Sequence, residues 1–232
     1  MNRILLMLTT ALLVAGGSTV VASPTPSAAT TKRLAAAEWA RDGLQPVKVK
    51  GLDLVYARPG ALHAAYSKVR LAPISVEFQR NWERNAAIAT GTRIRLRDIT
   101  RIRNDIAQVV REEVVRGLAR GGYQVVDVAG ADVLEIDLRV AEVYLNAPDL
   151  PTVNFTRNYT RSFGEMTLIA ELRDPASGAA VMRILDRTVG RDYGMFRFTT
   201  RVENSAEVGM AAHAWARKLS RELDLARGIG QS

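Results

Sequence analysis

Apolar residues recur along this chain in two rhythms, one of three and four residues and one of two, and the points where the rhythm changes outline its elements. From Asp98 to Arg120 the residues Ile99, Ile102, Ile106, Val110, Val114 and Leu118 fall on one helical face, and Gly121-Gly122 ends the run. A second amphipathic helix is predicted over 202–225, with Val208, Ala212, Trp215, Leu219 and Leu223 on its stripe. Between the helices the period is two. Leu134, Ile136, Leu138 and Val140 alternate with Glu135, Asp137 and Arg139, so a strand over 133–145 has one buried and one wet face. A shorter strand over 123–128 precedes it, and the AGAD turn between them predicts antiparallel neighbours. Further on, Met166, Leu168, Ala170 and Leu172 make an inner face. If DPASG closes a five-residue hairpin loop, Ala180, Met182 and Ile184 join that face and Glu165 stands across from Arg187. Val69, Leu71, Ile74 and Val76 mark an earlier strand whose alternation slips at Pro73, an edge or bulge position. The stretch FQRNWERNAAIATGTR, 78–93, has weak periodicity and reads as a long loop.

This order predicts an α+β two-layer sandwich: a mainly antiparallel sheet with two amphipathic helices packed on one face. Nothing inside 44–225 reads as a linker, so those residues form a single domain, followed by a tail at 226–232. Ahead of the domain, 23–43 reads as a flexible Pro/Ser/Thr/Ala spacer with a short helix, in which Thr31 caps KRLAAAEWARD and Trp39 offers an apolar handle. Arg3, the apolar run from Ile4 to Val14, and Val20-Val21-Ala22 compose an export signal over 1–22. Thr9, Thr10, Gly16 and Gly17 interrupt the run too early for a spanning helix. No transmembrane segment is expected after cleavage. The expected location is therefore periplasmic, peripheral to the outer membrane, or secreted.

Composition narrows the chemistry. The chain has no cysteine, which removes disulfides, thiolate metal sites and lipid attachment to an N-terminal cysteine. Its formal net charge is +8, and 27 of its 32 basic residues are arginine, whose planar fork pairs with phosphate or carboxylate. For an exported chain the anionic partners are envelope components such as phospholipid headgroups, lipid phosphates or glycans, or an envelope protein. The basic run TRIRLRDITRIR at 92–103 has the arginine density of a nucleic-acid contact, but the export signal argues against nucleic acid and a solvated helix face accounts for it.

Catalytic groups are sparse. His63 and His213 each stand alone, and no HExxH, GxSxG or phosphate-cradling glycine loop occurs, so no metal, cofactor or nucleophile is expected. Two carboxylates such as Glu165 and Asp186 could divide acid and base roles for a hydrolase acting on an anionic envelope substrate. The hairpin register puts Asp186 inward, opposite Met166, where a nearby arginine or the end of the sheet explains a carboxylate more often than catalysis does. The acids and arginines of GEMTLIAELRDPASGAAVMRILDR read as scaffold, since a cross-strand pair on a solvated face stabilises pairing by roughly 0.2–1 kcal/mol and needs no chemical role. Two connections carry a stronger signal: VNFTRNYTRSF at 153–163 and GRDYGMFRFTTR at 190–201 interleave aromatic and basic residues. Antiparallel strand order brings both to one end of the sheet. Phe155, Arg157, Tyr159, Arg161, Tyr193, Phe196, Arg197 and Arg201 then form a basic, aromatic-walled binding surface. The function these residues support is non-enzymatic binding.

GLDLVYARPGA at 51–61, GGYQVV at 121–126 and GEMTLIAELRDPASG at 164–178, together and in this order, resemble the bacterial family catalogued as domain of unknown function 3313. The resemblance covers 44–225. It implies an exported envelope protein of Gram-negative bacteria, often a lipoprotein, with no established activity to carry over. This chain departs from the lipoprotein pattern because it lacks cysteine.

Overall fold

The computed structural model describes residues 28–60, 66–146, 159–162, 164–190, 192–198 and 201–226. The N-terminal half runs α1 (Ala28–Arg41), β1 (Gln45–Pro46), β2 (Leu54–Ala57), β3 (Lys68–Leu71), β4 (Ser75–Phe78), α2 (Trp82–Thr90) and α3 (Leu96–Arg120). The C-terminal half runs β5 (Gln124–Val125), β6 (Val133–Leu145), β7 (Tyr159–Ser162), β8 (Gly164–Arg173), β9 (Ala180–Val189), β10 (Asp192–Phe198) and α4 (Arg201–Ala226). Eight strands form one mostly antiparallel sheet in the order β1-β2-β9-β8-β6-β3-β5, with β4 also paired to β6; β7 and β10 pair with each other. The fold class is α+β.

The two long helices form where the three-and-four rhythm predicts them. In α3 the residues Ile102, Ile106, Val110, Val114 and Leu118 are buried, and the Asp98 carboxylate closes the first turn by accepting the Arg95 backbone N–H at 3.1 Å. In α4 the predicted stripe of Val208, Ala212, Trp215, Leu219 and Leu223 is buried throughout. Both helices share one apolar core with Ile136, Leu138, Val140, Met166, Leu168, Ala170 and Leu172 from the strands. α3 and α4 run side by side in the same direction: Gly209 lies against Val109 and Glu113, Gly117 against Ala216, and Gly121 against Ser220. A Cβ on Gly117 would sit 2.5 Å from that of Ala216, so glycine is what lets the helices come this close.

Several expectations are corrected. β5 and β6 are not neighbours, because β3 lies between them and pairs in parallel with both. The single strand expected around Pro73 is two, β3 and β4, which follow one another along the same edge of β6, and Pro73 falls at the break. The long loop expected over 78–93 contains α2. Trp82 there is 1% exposed, stacks on Phe78 at 4.2 Å and donates Nε1–H to the Leu145 carbonyl at 3.0 Å. Only Trp82 and Ala86 of this helix are buried, too few to leave a readable period.

The β8–β9 hairpin keeps its predicted inner face but not its register. The Asp174 N–H bonds to the Ala179 carbonyl, lengthening the turn, and a bulge follows between the pairs Leu172–Met182 and Arg173–Ala180. Asp186 therefore faces Leu168 instead of Met166, and Thr167 instead of Glu165 is directly opposite Arg187. The Glu165–Arg187 ion pair still forms, on the diagonal. The bulge also moves Ala180 off the inner face, into a second cluster with Trp39, Leu44, Leu54, Tyr56, Ile169 and Leu185.

That second cluster shows that the outer face is partly covered by α1. The helix begins at Ala28, ahead of Thr31. Trp39 is 4% exposed and meets Tyr56 edge-on at 5.7 Å. Polar ties flank it: Thr31 donates to Glu142 at 3.0 Å, Lys32 pairs with Asp53 at 2.8 Å, and Arg183 bridges Asp42 and Glu171 at 2.5 Å each. Glu142 has φ 52 at the β6 bulge, an uncommon conformation for a non-glycine residue, and its carboxylate is also held by Thr167 at 3.2 Å.

Candidate functional site

The sheet ends at a pair of glycines. Gly164 opens β8 with φ 132, and its carbonyl accepts from the Gly190 N–H at 2.7 Å, where β9 leaves the sheet. Beyond this point β7 and β10 pair antiparallel, with Ser162 opposite Asp192, Thr160 opposite Arg197, and Tyr159 opposite Phe198. The two strands thus carry the β8–β9 hairpin onward as a ribbon, with a register shift between Asp192 and Arg197. Five of the predicted binding residues lie on this ribbon: Tyr159 and Arg161 on β7, and Tyr193, Phe196 and Arg197 on β10. Arg201 is the first residue of α4, which follows directly. Phe155 and Arg157 lie outside the described residues.

The candidate acid/base pair is taken apart by the same hairpin. Asp186 projects into the core, 4% exposed, and accepts from Trp215 Nε1 at 3.0 Å, Lys218 Nζ at 2.6 Å and the Asp53 N–H at 3.2 Å. Glu165 projects from the opposite face to Arg187 and to Gln79 Nε2 at 3.5 Å. Two carboxylates on opposite faces of one sheet cannot straddle a bond, so this pair does not divide acid and base roles. Asp186 is instead a carboxylate with a base beside it. His213, half-exposed on α4, lies 3.4 Å from Glu113. Among the described residues no group of three or more His, Cys, Asp or Glu side chains converges to hold a metal, and no helix is long and apolar enough to cross a membrane.

Perturbed acidities gather at the far turn of the hairpin. Asp174 is held down to about 2, chiefly by the hydrogen bond that Tyr66 donates, then by the Ser177 hydroxyl and backbone N–H, both at 2.7 Å from Oδ1. Tyr66 is pushed up to about 12 by burial and by its Asp174 partner. These bonds tie Tyr66 to the turn and lock it closed, a structural role.

A groove the sequence did not reveal lies between the second halves of α3 and α4. It measures about 890 Å³ and is lined by Lys50 and Gly51 from the loop before β2, by Gly117, Arg120 and Gly121, and by α4 residues from His213 to Asp224 that include Arg217, Lys218, Ser220 and Arg221. Five of the lining side chains are Lys or Arg against one carboxylate, Asp224, which accepts from the Tyr123 hydroxyl at 3.1 Å. The basic residues are far apart in sequence and meet only because α3 and α4 run parallel. The trace they leave is the spacing of small residues, Gly117 with Gly121 and Ala216 with Ser220, one helical turn apart on each partner.

The profile of the family described as "Protein of unknown function (DUF3313)" matches residues 33–219. The chain belongs to this family. A comparison with curated proteins finds no match to this DUF3313 chain. Its shape is distantly similar to several solved structures. A candidate lipoprotein of Caulobacter crescentus is 17% identical over 52% of this chain and 81% of that one, at a TM-score of 0.34. The PelC dodecamer of Paraburkholderia phytofirmans is 9% identical over 75% and 96%, at 0.33. A minor lipoprotein of Acinetobacter baumannii is 10% identical over 68% and 94%, at 0.31. At these scores the likeness carries no functional argument for the DUF3313 chain, whose function has to be argued from its own residues.

Proposed function

We propose that the protein is an exported, non-enzymatic binding or accessory protein of the bacterial cell envelope, cleaved near Ala22 and working in the periplasm, at the periplasmic side of the outer membrane, or outside the cell. Its ligand is an anionic envelope component or an envelope protein, taken at the end of the sheet where the arginine- and aromatic-bearing connections meet. The observation that carries this reading is the β7–β10 pairing: two segments more than thirty residues apart at Tyr159 and Phe198 run side by side past the last rung of the sheet. The ribbon pairs only with itself among the described strands, and arginine and aromatic residues on such a projection are the composition of binding hot spots.

The test is the combined variant Arg157→Ala, Arg161→Ala, Arg197→Ala. It is expected to keep the parent's unfolding midpoint while losing salt-dependent binding to anionic vesicles or to whichever envelope component co-purifies with the parent. Parent-like binding by the variant overturns the assignment of this surface. Fractionation with N-terminal sequencing tests the location, and an intact cytosolic form beginning at Met1 would overturn export.

A further inference from the structure

We infer that the groove between the second halves of α3 and α4 is a binding site for a phosphate-bearing anion, separate from the ribbon surface. The charge there is not neutralised from within. Lys218 is paired with Asp186 at 2.6 Å and Arg221 with Glu222 at 3.3 Å, whereas the side chains of Lys50, Arg120 and Arg217 have no ion pair or hydrogen bond to any described residue. Three free cations converge on one cavity, and their mutual repulsion is relieved by a bound anion. A helix dipole explains only part of this. Arg120 ends α3, where the dipole favours a cation, but Arg217 lies well inside α4 and Lys50 is in a loop.

The rim is held in place before any ligand arrives. Arg221 Nη2 donates to the Lys50 carbonyl at 2.9 Å, and the Asp53 N–H binds Asp186 at 3.2 Å, so the loop carrying Lys50 is tied at both ends to the wall of the groove. The floor is made of small residues. Gly117 and Gly121 line it, and beside Gly121 lies the hydroxyl of Ser220, a residue 8% exposed that has no hydrogen-bond partner among the described residues. That hydroxyl is a donor open to the groove and available to an oxygen acceptor. Two guanidinium forks, an ammonium and a hydroxyl suit the several oxygens and roughly double charge of a phosphate better than a single carboxylate. The cavity, about 890 Å³, is larger than one ion and has room for the organic group to which the phosphate is attached.

Such a phosphate reaches an envelope protein either on a soluble ester or on a lipid headgroup, and two probes separate these sources. Titration calorimetry of the full chain with inorganic pyrophosphate reports the soluble form. Co-sedimentation with phosphatidylcholine vesicles containing phosphatidylglycerol reports the headgroup. Saturable binding of pyrophosphate assigns a soluble phosphate ester, and vesicle binding that the ribbon variant Arg157→Ala, Arg161→Ala, Arg197→Ala retains, without pyrophosphate binding, assigns a lipid. In either case Arg120→Ala with Arg217→Ala should weaken binding by about tenfold for each fork removed. Both side chains are exposed and unpartnered, so the unfolding midpoint should not move. The ribbon variant, Arg157→Ala, Arg161→Ala, Arg197→Ala, should leave pyrophosphate binding unchanged, which keeps the two sites distinguishable. The inference is overturned if neither probe saturates, or if the Arg120/Arg217 double variant binds both as tightly as the parent.

Discussion

Replacing Lys218 by Met isolates how the one inward carboxylate of the β8–β9 hairpin is tolerated. Asp186 is 4% exposed and has three donors, of which only Lys218 Nζ, at 2.6 Å, brings a full positive charge. Removing one partner of a fully buried ion pair typically costs about 3–5 kcal/mol, because an uncompensated charge stays behind. Here two neutral donors remain, from Trp215 and the Asp53 backbone, and the Lys218 side chain is 27% exposed, so water reaches the site. The expected loss is the strength of one charge-assisted hydrogen bond plus part of the desolvation cost, about 2–3 kcal/mol. Asp186→Asn should cost less, about 1–2 kcal/mol, since an amide oxygen still accepts from Trp215 and the freed ammonium can turn to water. The combined variant should recover at least about 1 kcal/mol relative to the sum of the two, because neither change then strands a charge. Urea unfolding followed by tryptophan fluorescence and far-UV dichroism, compared at equal slope, measures all three. A Lys218→Met loss within about 0.5 kcal/mol, or strict additivity in the double variant, refutes the reasoning and means Trp215 and the backbone satisfy Asp186 alone.

Gly164→Ala should destabilise strongly, by about 2–4 kcal/mol: φ 132 is open only to glycine, and the added Cβ runs into the Tyr144 backbone carbonyl. A thermal midpoint equal to the parent's would show that the sheet end is not built this way. Tyr66→Phe should change the pH profile of stability at both extremes. Asp174 titrates lower in the folded chain, about 2, than its ordinary 3.8, so its contribution is full above the latter value and fades as pH falls towards the former. Tyr66 titrates higher when folded, about 12 against 10, so its contribution is full below the lower value and is lost as pH rises towards the upper one. Both slopes should flatten in the variant, by amounts kept small because the pair is largely solvent-screened, and unchanged slopes would count against the lock.

Much of the scaffold was legible because burial repeats. The stripes of α3 and α4 and the alternation in β6 and β8 are set by residues that touch one continuous core, so each position carries the same signal. What failed were features decided between distant segments. Nothing in Tyr123 to Leu145 says that β3 will slide between β5 and β6, since a short turn permits a hairpin equally well. The two-residue register slip in β8–β9 depends on one backbone bond, Asp174 to Ala179, and on a bulge at Val181, neither of which has a compositional mark. The outer face of that hairpin looked wet because its acids and arginines alternate correctly, and although a short helix with Trp39 as its apolar handle was legible in the spacer over 23–43, nothing in its sequence says which surface α1 will cover. On the site side, the meeting of the two arginine-rich connections followed from strand order alone. The groove did not, because its cations come from a loop and two helices whose parallel course is visible only once Gly117 is seen against Ala216.

The parallel course of α3 and α4 also bears on the order in which the chain can become a protein. A chain made from its N-terminus produces β2 early, but the partner of β2 is β9, and Asp53 waits for an acceptor on Asp186 that lies 133 residues later. Trp215, Leu219 and Leu223, which seal the core, come later still, on the last helix. Until that helix emerges, only α3 is available to cover the sheet, and the part of the shared core that α4 fills stays open. The native core therefore cannot close until synthesis is nearly finished. The same delay makes C-terminal truncation costly: removing α4 leaves α3 alone over a core built for two helices, an exposed apolar surface prone to aggregate, instead of a shorter domain.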